Sequence, residues 1–123
     1  MNALGTQILL ELRQCNPEKL DDLPYIKELL ITVAKETGAT IVGQSFHKFH
    51  PIGVTGILAI AESHICIHTW PEYGYAAVDI FTCGEKFSPH MAAELLIHRF
   101  QSKTPSLTEI KRGQLPELAP SNR

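Results

Sequence analysis

The side chains best suited to chemistry are concentrated in one segment, residues 62–72, which reads ESHICIHTWPE. Alternate side chains of a strand share a face. His64, Cys66, His68 and Trp70 therefore lie together on one face, and the two isoleucines of the segment lie on the other. One strand face that carries two imidazoles, a thiol and an indole is unusual, and we interpret it as the candidate site.

A turn at 71–74, Pro-Glu-Tyr-Gly, predicts a hairpin between this strand and the next one, 75–82. If the two residues that flank the turn are paired, Cys83 lies opposite Glu62. Directly opposed side chains are about 5 Å apart, so the hairpin returns Cys83 to the start of the segment. Strict alternation points Ser63 to the other face, and we therefore expect a bend or bulge at 62–63.

Several interpretations of these side chains are open. Same-face neighbours on a strand are ~6.7 Å apart, so His64, Cys66 and His68 could hold a small metal ion. Apart from His47 and His50 there is no second ligand cluster, and we expect no metal. A nucleophile for an external acyl substrate needs an elbow and an orienting acid, neither of which is evident. Core histidines bonded to backbone groups are the non-functional interpretation.

The remaining interpretation is that Ser63 attacks its own backbone. Its hydroxyl adds to the carbonyl of Glu62 and replaces the amide by an ester, a step that needs an oxyanion donor and a proton acceptor. Elimination then splits the chain, and loss of ammonia leaves a pyruvoyl group at residue 63. This ketone forms a Schiff base with an amine substrate and accepts the electrons released as carbon dioxide leaves, as pyridoxal phosphate does elsewhere.

Eight elements are expected to position these groups. Hydrophobic periodicity, turn residues and helix caps predict the order β-α-β-β-β-β-α-β. Short turns imply a mostly antiparallel sheet, and two helices on one face make an α+β fold, a two-layer α/β sandwich. One strand is apolar at both parities, as in strands buried on both faces, which indicates a homodimer. The strands are expected at 5–13, 40–49, 54–61, 64–70, 75–82 and 106–112, of which 54–61 and 64–70 could be one bent strand. The first helix is expected to begin at Pro17 and Asp21–Asp22 and to end at Gly38, and the second is expected from Ser88–Pro89 to about residue 101.

The bulk properties narrow the class of protein. The chain has 123 residues, enough for one domain, which we place at 1–113 with a flexible tail at 114–123. The net charge is -2 without a basic run, which argues against nucleic acid as a partner. No apolar stretch is long enough for a membrane span, and the start of the chain lacks signal-peptide features, so a cytoplasmic location is expected. Three cysteines without a CxxC pair disfavour a disulfide framework and a zinc finger.

The run ESHICIHTWPEYGYAAVDIFTCG at 62–84 closely resembles the prokaryotic S-adenosylmethionine decarboxylase proenzyme family, which is self-cleaving and pyruvoyl-dependent. The upstream segments GATIV, FHKF and GVTG at 38–42, 46–49 and 53–56 are similar to the same family, and the likeness extends over about residues 3–112. The resemblance implies a two-layer sandwich that forms a homodimer with active sites near the dimer interface.

The resemblance also assigns roles to residues. Cleavage falls between Glu62 and Ser63, giving a β chain of residues 1–62 and an α chain of residues 63–123, and Ser63 becomes the pyruvoyl cofactor. His68 assists processing by removing the α-proton of the ester. Cys83 is the catalytic acid that protonates the substrate carbon, a task that suits a thiol because its ordinary pKa of ~8.5 leaves it protonated near neutral pH.

Substrate contacts follow from the same resemblance. Phe49 and Trp70 pack on the adenine and the sulfonium of S-adenosylmethionine, since an aromatic face attracts a cation, and Glu72 accepts hydrogen bonds from the ribose. The product serves spermidine synthesis as an aminopropyl donor. Close paralogues use arginine or ornithine with the same self-cleavage residues, and Ile52 and His50 depart from the family pattern beside Phe49. A processing-dead regulatory subunit is the non-enzymatic alternative, against which the intact cleavage residues speak.

Overall fold

A single six-stranded sheet organises the protein, whose computed structural model describes residues 3–118. The strand order is β2-β3-β4-β5-β1-β6, and every neighbouring pair in it is antiparallel. The predicted antiparallel sheet is therefore confirmed. The strands are β1 (Gly5–Leu12), β2 (Ile41–Lys48), β3 (Val54–Ile60), β4 (Ser63–Trp70), β5 (Tyr75–Thr82) and β6 (Ser106–Arg112).

Three α-helices accompany the sheet: α1 (Pro17–Leu20), α2 (Leu23–Glu36) and α3 (Pro89–Arg99). The first predicted helix is divided in two, because Asn16 caps α1 and Asp22 separately caps α2 by accepting from the backbone N–H of Tyr25 at 3.0 Å. Asp21 lies between the two helices, and its side chain does not cap the N-terminus of either one. The second predicted helix begins as expected, with Ser88 as the cap and a proline at the first turn.

The helices cover one face of the sheet, as predicted for a two-layer sandwich. The helix α2 contacts β2 and β3, whereas α3 contacts β1 and β5. The opposite face is open in a single chain, where Leu9 is 38% and Ile57 is 42% exposed. The expectation that the strand at 54–61 is buried on both faces is therefore met on one face only within one chain. The largest fully buried side chains are Phe100, Ile8, Leu10, Leu12, Leu20, Ile26, Leu30, Leu58, Ile65, Ile67, Ile80 and Leu96.

Two hairpins determine where the chemistry-bearing residues lie. The strands β3 and β4 are separate and are joined by Ala61 and Glu62, with Ile60 opposite Ser63. The strands β4 and β5 are joined by a 3-10 turn at Pro71–Tyr73 and by Gly74, whose φ of 61° is a left-handed conformation that glycine adopts readily. The pairing runs from the two residues that flank this turn to Ser63 opposite Thr82, so the predicted register is confirmed.

The end of the described chain lies beyond β6. Residues Pro116–Leu118 form a second 3-10 turn, and the rest of the predicted tail, 119–123, lies outside the described residues. Within residues 3–118 no helix combines the length and the apolar character needed to cross a bilayer.

Candidate active site

Glu62, Ser63 and Cys83 meet at one end of the β4–β5 hairpin. The Oγ of Ser63 is 3.9 Å from the Sγ of Cys83. The backbone N–H of Cys83 donates to the carbonyl oxygen of Glu62 at 2.9 Å, and the Sγ of Cys83 lies 3.4 Å from the same oxygen. Two donors of one residue thus converge on the carbonyl that the adjacent serine hydroxyl would attack, which is the arrangement of an oxyanion hole.

The backbone at Ser63 is bent, as the sequence predicted. Its φ is 153°, a region that residues with a Cβ rarely adopt and that costs roughly 1–3 kcal/mol. The pairing of β4 with β5 continues through Ser63 and Thr82 without a shift, so the bend is a dihedral rotation rather than a bulge. The rotation brings the Ser63 hydroxyl to Cys83 and stores strain at the residue that follows the Glu62–Ser63 peptide bond.

The carboxylate of Glu62 holds the turn that carries this bond. Its Oε1 accepts from the backbone N–H of Thr40 at 3.0 Å, and the neighbouring Ala61 N–H donates to the Thr40 carbonyl at 2.7 Å. The hydrogen bond from Thr40 holds the pKa of Glu62 below its ordinary value, with a smaller contribution from the charge of Lys86. Glu62 is therefore ionised near neutral pH, and its side chain anchors the turn to the start of β2.

A second group of predicted residues lines a cavity at the far end of β4. Phe49, His68, Trp70 and Glu72 surround a volume of about 370 Å³. Phe49 is 46% and Trp70 is 41% exposed, so both rings present apolar surface to the opening. Glu72 enters from the 3-10 turn that follows β4 and is the only carboxylate among the cavity-lining residues that the structure describes.

Sequence reasoning missed Thr55 and Thr69, which also line this cavity. The Oγ1 of Thr55 lies 3.1 Å from the Nδ1 of His68, and the two residues are directly paired across β3 and β4. Such a contact orients the imidazole and selects its tautomer. Thr55 could have been found from the sequence, because the register of the β3–β4 hairpin pairs it with His68.

The two groups are separated within one chain. Ser63 and His68 are five residues apart along β4, and a strand rises ~3.3 Å per residue. The separation is therefore about 17 Å. Both groups nevertheless lie toward the open face of the sheet, because His68 and Trp70 alternate with the buried isoleucines of β4 and the Ser63 hydroxyl contacts the exposed Cys83.

The comparisons with known proteins give the family. A family model described as S-adenosylmethionine decarboxylase matches residues 6–113. The chain belongs to the S-adenosylmethionine decarboxylase family. The family predicted from the motifs at 62–84 is thereby confirmed.

Similar proteins agree with this family over nearly the whole chain. The S-adenosylmethionine decarboxylase proenzyme of Thermodesulfovibrio yellowstonii is 55% identical over 113 residues, which are 92% of this chain and 84% of that protein. The proenzyme of Acetivibrio thermocellus is 49% identical over 117 residues, 95% of this chain and 94% of that protein. The crystal structure of the adenosylmethionine decarboxylase from Aquifex aeolicus VF5 has a TM-score of 0.89 at 34% identity and covers 98% of this chain and 99% of its own.

Three further residues of the open face, His64, His47 and Cys66, lie near other side chains of this decarboxylase family member. The Nε2 of His64 lies 3.4 Å from the Oδ2 of Asp79, and the ring of His47 packs edge-on against Phe49 with centroids 4.6 Å apart. Burial, and secondarily the charge of Asp79, raises the pKa of the Cys66 thiol, so that thiol stays protonated. Among residues 3–118 no three His, Cys, Asp or Glu side chains are placed to hold a metal ion.

Proposed function

We propose that the chain decarboxylates S-adenosylmethionine with a pyruvoyl group made from its own Ser63. The observation that carries the proposal is the geometry at the Glu62–Ser63 bond. The serine hydroxyl is adjacent to the scissile carbonyl, its backbone is strained at φ 153°, and Cys83 donates to the carbonyl oxygen. A nucleophile, a strained backbone and an oxyanion donor at one peptide bond all favour self-cleavage there.

The first step is attack of Ser63 Oγ on the carbonyl carbon of Glu62. The developing charge on the oxygen is stabilised by the N–H of Cys83. The C–N bond then breaks, and the nitrogen takes up the proton that the serine hydroxyl loses, so that residue 63 carries a free amine. The product is an ester in which residue 63 is no longer held in its strained peptide conformation. Loss of the α-proton of residue 63, which we assign to His68, then breaks the Cβ–Oγ bond and releases the Glu62 carboxylate. Tautomerisation to an imine and addition of water release ammonia.

The residues at this end of the hairpin suit a pyruvoyl group at position 63. The ketone of such a group supplies an electron sink for the electron pair released with carbon dioxide. The Sγ of Cys83 lies 3.9 Å from the Oγ of Ser63 and would supply the proton that the substrate carbon needs after decarboxylation. After cleavage, the backbone N–H of Cys83 would be available to donate to an oxygen atom of the pyruvoyl group or of the substrate beside residue 63.

The cavity at the other end of β4 favours S-adenosylmethionine as the substrate. Two partly exposed aromatic rings, Phe49 and Trp70, suit an adenine plane and a sulfonium cation, and Ile52 adds apolar surface. Glu72 lines the same cavity and would accept hydrogen bonds from the ribose hydroxyls. The decarboxylated product would then donate aminopropyl groups in spermidine synthesis.

A homodimer would unite the two groups. A two-fold axis lying between two facing sheets, across the strands at the level of Cys66, reverses the direction of β4 in the partner. The Ser63–Cys83 end of one chain then faces the His68–Trp70 end of the other. Sheets that pack face to face are ~10 Å apart, a gap that side chains and a substrate can span. Exposed Ile57, near the middle of the open face, would be buried by the same contact.

Denaturing mass spectrometry combined with carbon dioxide release tests the proposal. The wild-type chain should yield a fragment ending at Glu62 and a fragment whose first residue is a pyruvoyl group, whereas Ser63→Ala should stay intact. Carbon dioxide should be released from S-adenosylmethionine and not from arginine or ornithine assayed in parallel. A wild-type chain that remains uncleaved after long incubation would refute the pyruvoyl assignment, and release from arginine or ornithine alone would refute the substrate.

A further inference from the structure

The loop at 49–53 between β2 and β3 forms one wall of the aromatic cavity. It contributes Phe49 and Ile52 to the lining, and the N–H of Phe49 donates to the carbonyl of Gly53 at 2.8 Å. Gly53 has a φ of 116°, and a Cβ at this position would lie 3.2 Å from the Thr69 carbonyl oxygen. The loop is therefore a tight turn pressed against β4. Surface loops that bind ligands need such support, because they are otherwise the more mobile parts of a fold.

The support comes from Asp21, which lies between α1 and α2. Its Oδ1 accepts from the backbone N–H of Gly53 at 2.8 Å and lies 3.0 Å from the Nζ of Lys48. The same Nζ donates to the carbonyl of Phe49 at 3.1 Å. Asp21 thus holds the Gly53 end of the loop directly and the Phe49 end through Lys48. The hydrogen bond from Gly53, followed by the hydrogen bond and charge of Lys48, lowers the pKa of Asp21, so the carboxylate is ionised near neutral pH.

Asp21 is itself fixed relative to the opposite wall of the cavity. The hydroxyl of Thr69, a buried residue beside Trp70, donates to the carbonyl of Leu20 at 2.7 Å and accepts from the N–H of Val54 at 2.8 Å. Leu20 is fully buried and directly precedes Asp21. The chain at 20–21 therefore connects the Phe49 wall to the Trp70 wall through hydrogen bonds that β-sheet pairing does not supply.

We infer that Asp21 is a positioning residue for substrate binding: it holds the 49–53 loop so that Phe49 faces Trp70 across the cavity. This inference rests on the proposed function, since it takes the cavity to be the S-adenosylmethionine subsite. Asp21 does not line the cavity, so it acts on the substrate through the loop. The hydrogen bond and ion pair of Asp21 go to Gly53 and Lys48 and not to Ser63, Cys83 or His68, so we expect self-cleavage to proceed without Asp21.

Steady-state kinetics of Asp21→Ala and Asp21→Asn test the inference. Asp21→Ala removes the hydrogen bond to Gly53 and the ion pair with Lys48, and KM for S-adenosylmethionine should rise about tenfold, as expected for loss of a charge-assisted hydrogen bond. The kcat should stay within about twofold of wild type, because these bonds position the substrate and not the reacting groups. Asp21→Asn keeps an acceptor for Gly53 and should recover most of the affinity.

Asp22→Ala is the matched control. It removes the neighbouring carboxylate and the cap of α2, which lowers stability modestly, but leaves the loop contacts in place. Its KM should equal that of wild type. Binding can also be read without turnover in the Ser63→Ala background, because Trp70 is the single tryptophan of the chain and its fluorescence reports the cavity directly.

The outcomes separate this inference from the proposed function. If wild type cleaves itself and decarboxylates S-adenosylmethionine while Asp21→Ala keeps the wild-type KM, the positioning role is wrong and the proposed function stands. The positioning role is also wrong if Asp22→Ala raises KM as much as Asp21→Ala, or if Asp21→Asn binds no better than Asp21→Ala. If wild type itself neither cleaves nor releases carbon dioxide, the proposed function fails.

Discussion

The proposal that Ser63 of one chain meets His68 of its partner is tested most sharply by cleavage in a dimer of two different variants. Ser63 and His68 are about 17 Å apart along β4 of one chain, whereas a general base must come within ~3 Å of the proton that it removes. If His68 acts on Ser63, it acts on the Ser63 of the partner. We therefore expect Ser63→Ala and His68→Ala, each unprocessed when expressed alone, to complement each other when they are expressed together.

The expected extent of cleavage follows from symmetry. Only the His68→Ala chain still carries Ser63, and only a Ser63→Ala partner can supply it with an intact imidazole. Random association of equal amounts of two chains into two-fold dimers places about half of each chain in mixed dimers. About half of the His68→Ala chain should therefore be cleaved after Glu62, and the Ser63→Ala chain should remain whole.

The assay is denaturing mass spectrometry of the co-expressed chains, with a tag of different mass on each. His68→Ala expressed alone provides the baseline, and a mixture with a Ser63→Ala, His68→Ala double variant controls for a general effect of dimerisation. Absence of cleavage above baseline in the mixture refutes transfer between chains. Complete cleavage of His68→Ala by itself refutes any role of His68 in elimination.

Three further predictions concern the cleavage end of the hairpin. Cys83→Ser keeps the backbone N–H on the Glu62 carbonyl, so mass spectrometry should still show cleavage, while carbon dioxide release should fall by about 10² as the general acid is weakened; equal loss of both would contradict the separation of roles. Thr82→Val should melt at the wild-type temperature or above it, because the Thr82 hydroxyl is buried and has no hydrogen-bond partner within residues 3–118; a clear fall on calorimetry would show that the hydroxyl stabilises the fold. The pKa of Glu62 is lower in the folded chain than its ordinary value, so its contribution to stability is present above the ordinary pKa and is lost as the pH falls through the lowered one. The test compares the urea midpoints of two uncleaved chains, Ser63→Ala and the Ser63→Ala, Glu62→Gln double variant. The difference between the two midpoints should shrink from pH 7 to pH 3, and a constant difference would show that ionisation of Glu62 does not contribute to stability.

The strands and the register of the β4–β5 hairpin were predictable because they follow from local patterns. Alternating burial along β4 and a four-residue turn ending in Gly74 suffice to pair Glu62 with Cys83, and the structure has that pairing. The separate short helix α1 was not predicted, because Pro17 and Asp22 are both suited to a helix start and the amphipathic stripe begins only at Leu23. The family was also readable, since a long specific motif needs no tertiary information.

The contacts that determine the chemistry of Ser63 and the position of the 49–53 loop cannot be predicted from local sequence patterns. The rotation at Ser63 opposes the intrinsic preference of a residue with a Cβ, and it persists because pairing on both sides and the Glu62–Thr40 bond hold the turn. The hydrogen bond from Gly53 to Asp21 joins residues 32 apart in the sequence, a separation at which hydrophobic periodicity predicts no contact. The sequence therefore specifies which groups share a face, whereas packing of distant segments specifies which atoms touch, because hydrogen bonds and strain depend on positions within a few tenths of an ångström.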